Sequence, residues 1–173
     1  MRVADYVIDQ IHKAGCEHIF LVTGGGAMFL NDAIAAHEKI EPICNHHEQA
    51  CAMGAVAYAK YKNSLSAVCV TTGCGGTNAI TGLLDAWQDS VPVIFVSGNV
   101  NRPHMAPEGV RNLGVQEANI IDLVKPITKY AVVVNDPEDI EEVMKDAIRI
   151  ATHGRPGPVW VDIPMDVQGV QCF

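Results

Sequence analysis

The sequence predicts an α/β fold, a three-layer α/β/α arrangement around a mostly parallel, six-stranded sheet. Three observations carry this expectation. The apolar period switches repeatedly between helical and strand-like spacing. The strand-like runs include a continuous apolar stretch at 91–97, of the kind that parallel sheets cover on both faces. Strands alternate with helices along the chain, the pattern of a sheet wrapped by helices.

Taken in order, Val3, Val7, Ile8, Ile11 and Ala14 line one helical stripe, and Gly15 ends it. Residues 18–22 read as a short buried strand, 23–26 as a glycine loop and 27–36 as a helix. A second strand is expected at 40–45. An alanine-rich helix follows over about 48–60, and its small side chains, among them Ala50, Ala52, Gly54 and Ala57, would let another backbone approach closely. Residues 66–71 give a third strand, 73–76 a second glycine loop and 77–87 a helix, before the fourth strand at 91–97. Residues 99–114 have no period and contain Pro103 and Pro107; so long an irregular segment inside a compact domain is often functional. A short helix at 116–124 and a fifth strand at 127–134 come next. Asp136 as cap, Pro137 at the first position and the acids Glu138 and Asp139 start a helix that Gly154 ends. A sixth strand at 158–163 closes a domain expected to span 1–166, with 167–173 as the start of a linker.

A chain of 173 residues can bury one core of its own. Hydrophobic residues make up 49% and charged residues 18%, so either a covered oligomeric or interdomain face or a well-filled α/β core is implied. The formal net charge is -8 and no Lys/Arg run occurs, which argues against nucleic-acid binding. No apolar stretch approaches the roughly 18 residues of a membrane span. Residues 1–5 run into an amphipathic segment and not a signal peptide, so the cytoplasm is the expected location. The six cysteines form no CxxC pair and several sit in apolar runs, as small hydrophobes do.

Three features fall at strand ends: the loop at 23–26, the run His46-His47-Glu48, and the loop at 72–76. Ligands of open α/β sheets sit at the carboxyl ends of strands, near a switch in strand order. If these strands are neighbours, the three features converge on one crevice. Glycines there let a ligand touch the backbone, or they make tight turns and nothing more. Glu48 is either a dry acid in that crevice or a solvated first-turn carboxylate favoured by the helix dipole. Cys44, His46, His47 and Cys51 match no common zinc spacing, so no metal site is assigned. The run Gly73-Cys74-Gly75-Gly76 has only part of a dinucleotide fingerprint, which leaves a Rossmann-type nucleotide binder as the weakest alternative.

These same residues resemble the thiamine-diphosphate enzymes, most closely their acetolactate synthase-like group. The resemblance runs through FLVTGGGA at 20–27, HHEQACAMGAVAYAK at 46–60, VTTGCGGTN at 70–78, DAWQDSVPVIFVSG at 85–98, GVQE at 114–117, KPITK at 125–129 and GRPGPVWVDIPMD at 154–166. It implies a pyrimidine-binding domain of the thiamine-diphosphate-binding fold, the first of three domains. The diphosphate and its Mg²⁺ belong to a separate domain with a Gly-Asp-Gly motif, which does not occur here. The cofactor of such enzymes lies between domains, usually of different subunits. A homodimer, or a partner chain supplying the missing domain, is therefore expected, with a small 2-oxo acid as substrate.

By the same resemblance Glu48 shares a proton with the aminopyrimidine ring, a task for a carboxyl group kept dry by a mostly apolar wall. Gly24 and Gly25 would border the ring, Cys74 and Asn78 match the second glycine loop, and Gln116 matches a glutamine near the substrate. Two departures reshape the site: Gly24 stands in place of the usual proline and Val115 in place of the usual phenylalanine. The implied chemistry is 2-oxo acid decarboxylation with carboligation. Another lyase or decarboxylase of the same cofactor, or a non-catalytic dimerising fragment, are the alternatives.

Overall fold

Six strands, all parallel, form one sheet in the order β2-β1-β3-β4-β6-β5. The computed structural model describes residues 1–172. The strands are β1 (His18–Leu21), β2 (Glu41–Cys44), β3 (Ser66–Val70), β4 (Val93–Asn99), β5 (Tyr130–Val133) and β6 (Val159–Pro164). The helices are α1 (Val3–Lys13), α2 (Met28–Ala36), α3 (Glu48–Lys62), α4 (Cys74–Asn78), α5 (Ile80–Gln88), α6 (Ile120–Val124), α7 (Ile140–Thr152) and α8 (Met165–Gln168). Strands β3, β4 and β6 are buried along their whole length, which is why their sequences are mostly apolar.

Register divides the core in two. Phe20, Val68, Phe95, Trp160 and Ala131 are Cα partners in one row across five strands. Side chains of a strand alternate between faces, so this row points one way, toward α3, α5 and α6. Phe95 and Trp160 stack there with ring centroids 5.0 Å apart. The alternate residues, Ile19, Ala67, Ile94 and Val159, face α1, α2 and α7. Helices thus cover both faces, as expected.

The small side chains of α3 serve a neighbour within the chain. A Cβ on Gly82 of α5 would collide with Ala52 and its backbone, so α3 and α5 pack at near backbone contact. The outer side of α3 keeps Ala50, Met53, Ala57 and Tyr61 exposed.

One expectation needs correcting. The second glycine loop is a two-residue turn, Thr72–Gly73 (Gly73 φ 66), and α4 already begins at Cys74; Ala79 then separates α4 from α5 where one helix over 77–87 was expected. Packing overrides helix propensity here, because Gly75 and Gly76 sit against Thr71 and Ile120 with no room for side chains. Residues 167–172, read from sequence as the start of a linker, fold back on the domain. Val167 and Gln168 are buried, Val3 N–H donates to Val170 O (2.9 Å), and Arg2 bridges Gln171 in antiparallel fashion. Phe173, the last residue of that expected linker, lies outside the described residues.

Gly82→Ala is expected to destabilise the chain by about 1–3 kcal/mol through overpacking against Ala52. Urea denaturation checks this, and an unchanged midpoint would mean that α3 and α5 do not pack as described.

Candidate functional site

The chain passes from β1 to β2 on one side and then to β3 on the other, so β1 and β3 flank a switch point. At their carboxyl ends lie the first glycine loop and the Gly73 turn, and Thr71 joins the two. Its Oγ1 accepts from Gly26 N–H (3.1 Å). A Cβ on Gly24 would come within 2.5 Å of Thr71, and one on Gly75 within 2.7 Å of its methyl. Thr72 fills the space beside Gly26 and donates to Gly98 O (3.0 Å).

Gly25 differs from its neighbours. A Cβ there would meet nothing within 4 Å, so its backbone faces open space. Of the two glycines expected to border a ligand, Gly24 packs on Thr71, and Gly25 is exposed with free space where a side chain would stand.

Glu48 opens α3. His47 caps that helix, its Nδ1 accepting from Gln49 N–H (3.1 Å), and the chain turns inward one residue later. Glu48 is only 9% exposed. Its Oε2 accepts from Asn78 Nδ2 (2.9 Å), and its Oε1 lies 3.6 Å from where a Cβ on Gly75 would stand. A carboxylate with one anchored oxygen and one turned along a glycine surface can hold or pass a proton to a flat nitrogen base. Glu48, Asn78 and Gly75 thus lie together, and Thr71 links Gly75 to the first loop. Cys74 is exposed at the start of α4. Gln116 is exposed with φ 60, and its carbonyl oxygen occupies the space over Gly73.

His46 and His47 are exposed, and no group of three or more metal-ligating side chains occurs among the described residues. Burial pushes the Cys51 thiol up to about 11 and that of Cys69 up to about 12, so neither is a nucleophile.

Beside the crevice lies a polar group that sequence reasoning missed. Asp162, 1% exposed near the end of β6, accepts from Ser97 Oγ (2.5 Å) and Asn99 Nδ2 (2.6 Å), and Trp160 Nε1 donates to Ser97 Oγ (2.8 Å). Burial raises the acid to about 6 against the pull of those two donors. One acid inside an apolar strand run was the available signal. Asn99 and Asp162 also line a cavity of about 460 Å³ with Met105, Val110, Arg111 and Glu117.

Residues 1–123 match the family described as "Thiamine pyrophosphate enzyme, N-terminal TPP binding domain". The chain belongs to this family. It is 39% identical over 163 residues to the acetolactate synthase large subunit of Haemophilus influenzae, covering 94% of this chain and 28% of that protein. It is 38% identical over 165 residues to the acetolactate synthase large subunit of Lactococcus lactis, covering 95% and 28%. To the chloroplastic acetolactate synthase of Arabidopsis thaliana it is 34% identical over 165 residues, covering 95% and 24%. The chain spans about a quarter of the length of these curated relatives. Among the described residues no helix is long and apolar enough to cross a membrane.

Asp162 yields a pH prediction for this member of the family. Its folded value, about 6, lies above the ordinary 3.8, so the folded state holds the proton more tightly. Its contribution to stability is full below 3.8 and is lost as the pH rises through about 6. The loss is on the order of 3 kcal/mol. Urea midpoints measured across that range are expected to show this fall in the wild type relative to Asp162→Asn. Parallel curves for the two proteins would contradict it.

Proposed function

We propose that this chain is the pyrimidine-side domain of an acetolactate synthase-like enzyme and that Glu48 is its cofactor acid. The observation that carries the reading is the environment of Glu48: a nearly dry carboxylate, anchored by Asn78, lying along a wall of glycine backbone at a strand switch. The residues fit an aminopyrimidine. The bare backbone of Gly25 leaves room for a flat ring, and Glu48 supplies the acceptor or donor that a ring nitrogen needs. When bound, thiamine diphosphate supplies a carbon nucleophile and an electron sink for 2-oxo acid decarboxylation and carboligation.

Within that reading each residue has one task. Glu48 holds or yields the proton at the ring nitrogen. Asn78 fixes its carboxylate in place. Gly25 lets the ring approach, and the Gly73–Cys74 turn borders it. Gln116 stands on the substrate side, where Val115 in place of a larger aromatic side chain leaves more room. Mg²⁺ and the diphosphate would be held by a further domain, of this polypeptide or a partner, in a cytoplasmic enzyme.

We further propose that two copies associate through α3 and α5. Support comes from Met53, Tyr61, Leu84 and Trp87, large apolar side chains that these two adjacent helices leave exposed. A dimer without turnover is the second reading that the same surface would serve.

Glu48→Gln in the enzyme carrying this domain is expected to slow exchange of the cofactor's C2 proton by about 100-fold or more, followed by NMR. Exchange at the wild-type rate would remove Glu48 from the mechanism. Sedimentation is expected to show a dimer that Leu84→Glu weakens by at least roughly tenfold. A wild-type chain that stays monomeric at high concentration would remove the proposed interface.

A further inference from the structure

Residues 100–119 contain no strand and only one short turn of helix, at Arg102–His104, yet one side chain runs through the segment. Glu117 Oε1 accepts from Ala106 N–H (2.5 Å), and its Oε2 accepts from Leu113 N–H (2.9 Å) and Gly114 N–H (3.1 Å). Asn112 Nδ2 donates to the Glu117 carbonyl (3.2 Å). One carboxylate therefore closes the segment 106–117 on itself using backbone donors. A neutral amide could not do so, because it has one acceptor oxygen and would turn an NH₂ group toward an N–H. Burial raises the acid, but the three backbone donors outweigh it and hold Glu117 below the usual carboxylate range, so it is an anion at neutral pH.

The closed loop reaches the crevice through its neighbour. Gln116 has φ 60, a left-handed conformation that costs a residue with a side chain about 1 kcal/mol or more. Gln116 sits in a turn that Glu117 N–H closes by donating to Gly114 O (3.3 Å), and both of these residues belong to the carboxylate's own ring of bonds. That conformation seats the Gln116 carbonyl over Gly73, itself at φ 66, in the space a Cβ would need.

We infer that Glu117 is a positioning residue: its carboxylate clasps residues 106–117 so that the Gln116 backbone rests on the Gly73 turn and forms the substrate-side wall of the crevice. The clasp is independent of the function proposed above; the substrate-side role rests on it. Glu108, Arg111, Asp122 and Asp162 line the same cavity as Glu117, and His104 lies next to Gly114. Asp162 is satisfied by its own donors, Ser97 and Asn99.

NMR of the chain tests the clasp directly. The amide protons of Ala106, Leu113 and Gly114 are expected to shift together on acidification, following the titration of Glu117. In Glu117→Gln that common titration disappears and the three amides exchange about tenfold faster or more, with Val68 and Phe95 in the sheet unchanged. In the enzyme carrying this domain, Glu117→Gln is expected to raise the KM for the 2-oxo acid by roughly tenfold, with thiamine-diphosphate affinity held within about twofold. Three amides that behave alike in wild type and variant would overturn the clasp. An equal loss of cofactor affinity would overturn the positioning role. An intact clasp in an enzyme indifferent to thiamine diphosphate would instead count against the function proposed for Glu48.

Discussion

Close approach around Thr71 is the constraint on which the site depends. Two backbone segments, the loop after β1 and the helix start after β3, come within contact of this one side chain, and each does so by having no side chain of its own. Its hydroxyl accepts from one segment and its methyl packs on the other. That contact brings Gly75 beneath Glu48, and Asn78, one helical turn further, reaches the carboxylate. Glycine here serves packing first. At Gly25, by contrast, nothing stands where a side chain would be.

A second theme is the use of carboxylates to build shape. Glu117 organises an irregular segment by accepting three backbone donors. Asp166 does likewise for the start of that segment, accepting from Arg102 N–H (2.9 Å) and Nε (2.8 Å). Asp162 holds Asn99, whose Oδ1 in turn accepts from Val100 N–H (2.8 Å). The segment between β4 and α6 is therefore tied at its beginning and its end by acids of other elements or of its own. Backbone donors that a loop would otherwise leave to water are satisfied internally, which lets it serve as a wall.

Much of the fold was legible because its signals are local. Helix α1 has its stripe and its stop at Gly15 (φ 96); Asp136 accepts from Glu138 N–H, as a cap should; the buried strands announce themselves as apolar runs. The placement of Glu48 at a strand end could also be read directly. What could not be read depends on partners far along the chain. Gln168 donates to Gly26 O (2.8 Å) and Val170 accepts from Val3, so the return of the last segment had no local sign. Helix α4 ran against propensity, since Gly75 and Gly76 lie inside it and glycine is unfavourable in a helix interior. Thr71, Asp162 and Glu117 matter through contacts with backbone, which side-chain type alone does not disclose.

The central claim is that the carboxylate of Glu48 and the bare backbone of Gly25 form one surface for an aminopyrimidine ring. Titrating the chain with thiamine while following backbone and side-chain resonances tests it most directly. The account predicts shifts confined to Gly25, Glu48, Gly75 and Asn78, with those at Asn78 lost in Glu48→Ala. Shifts centred on the cavity lined by Arg111 and Asp162, or none at millimolar thiamine, would contradict it.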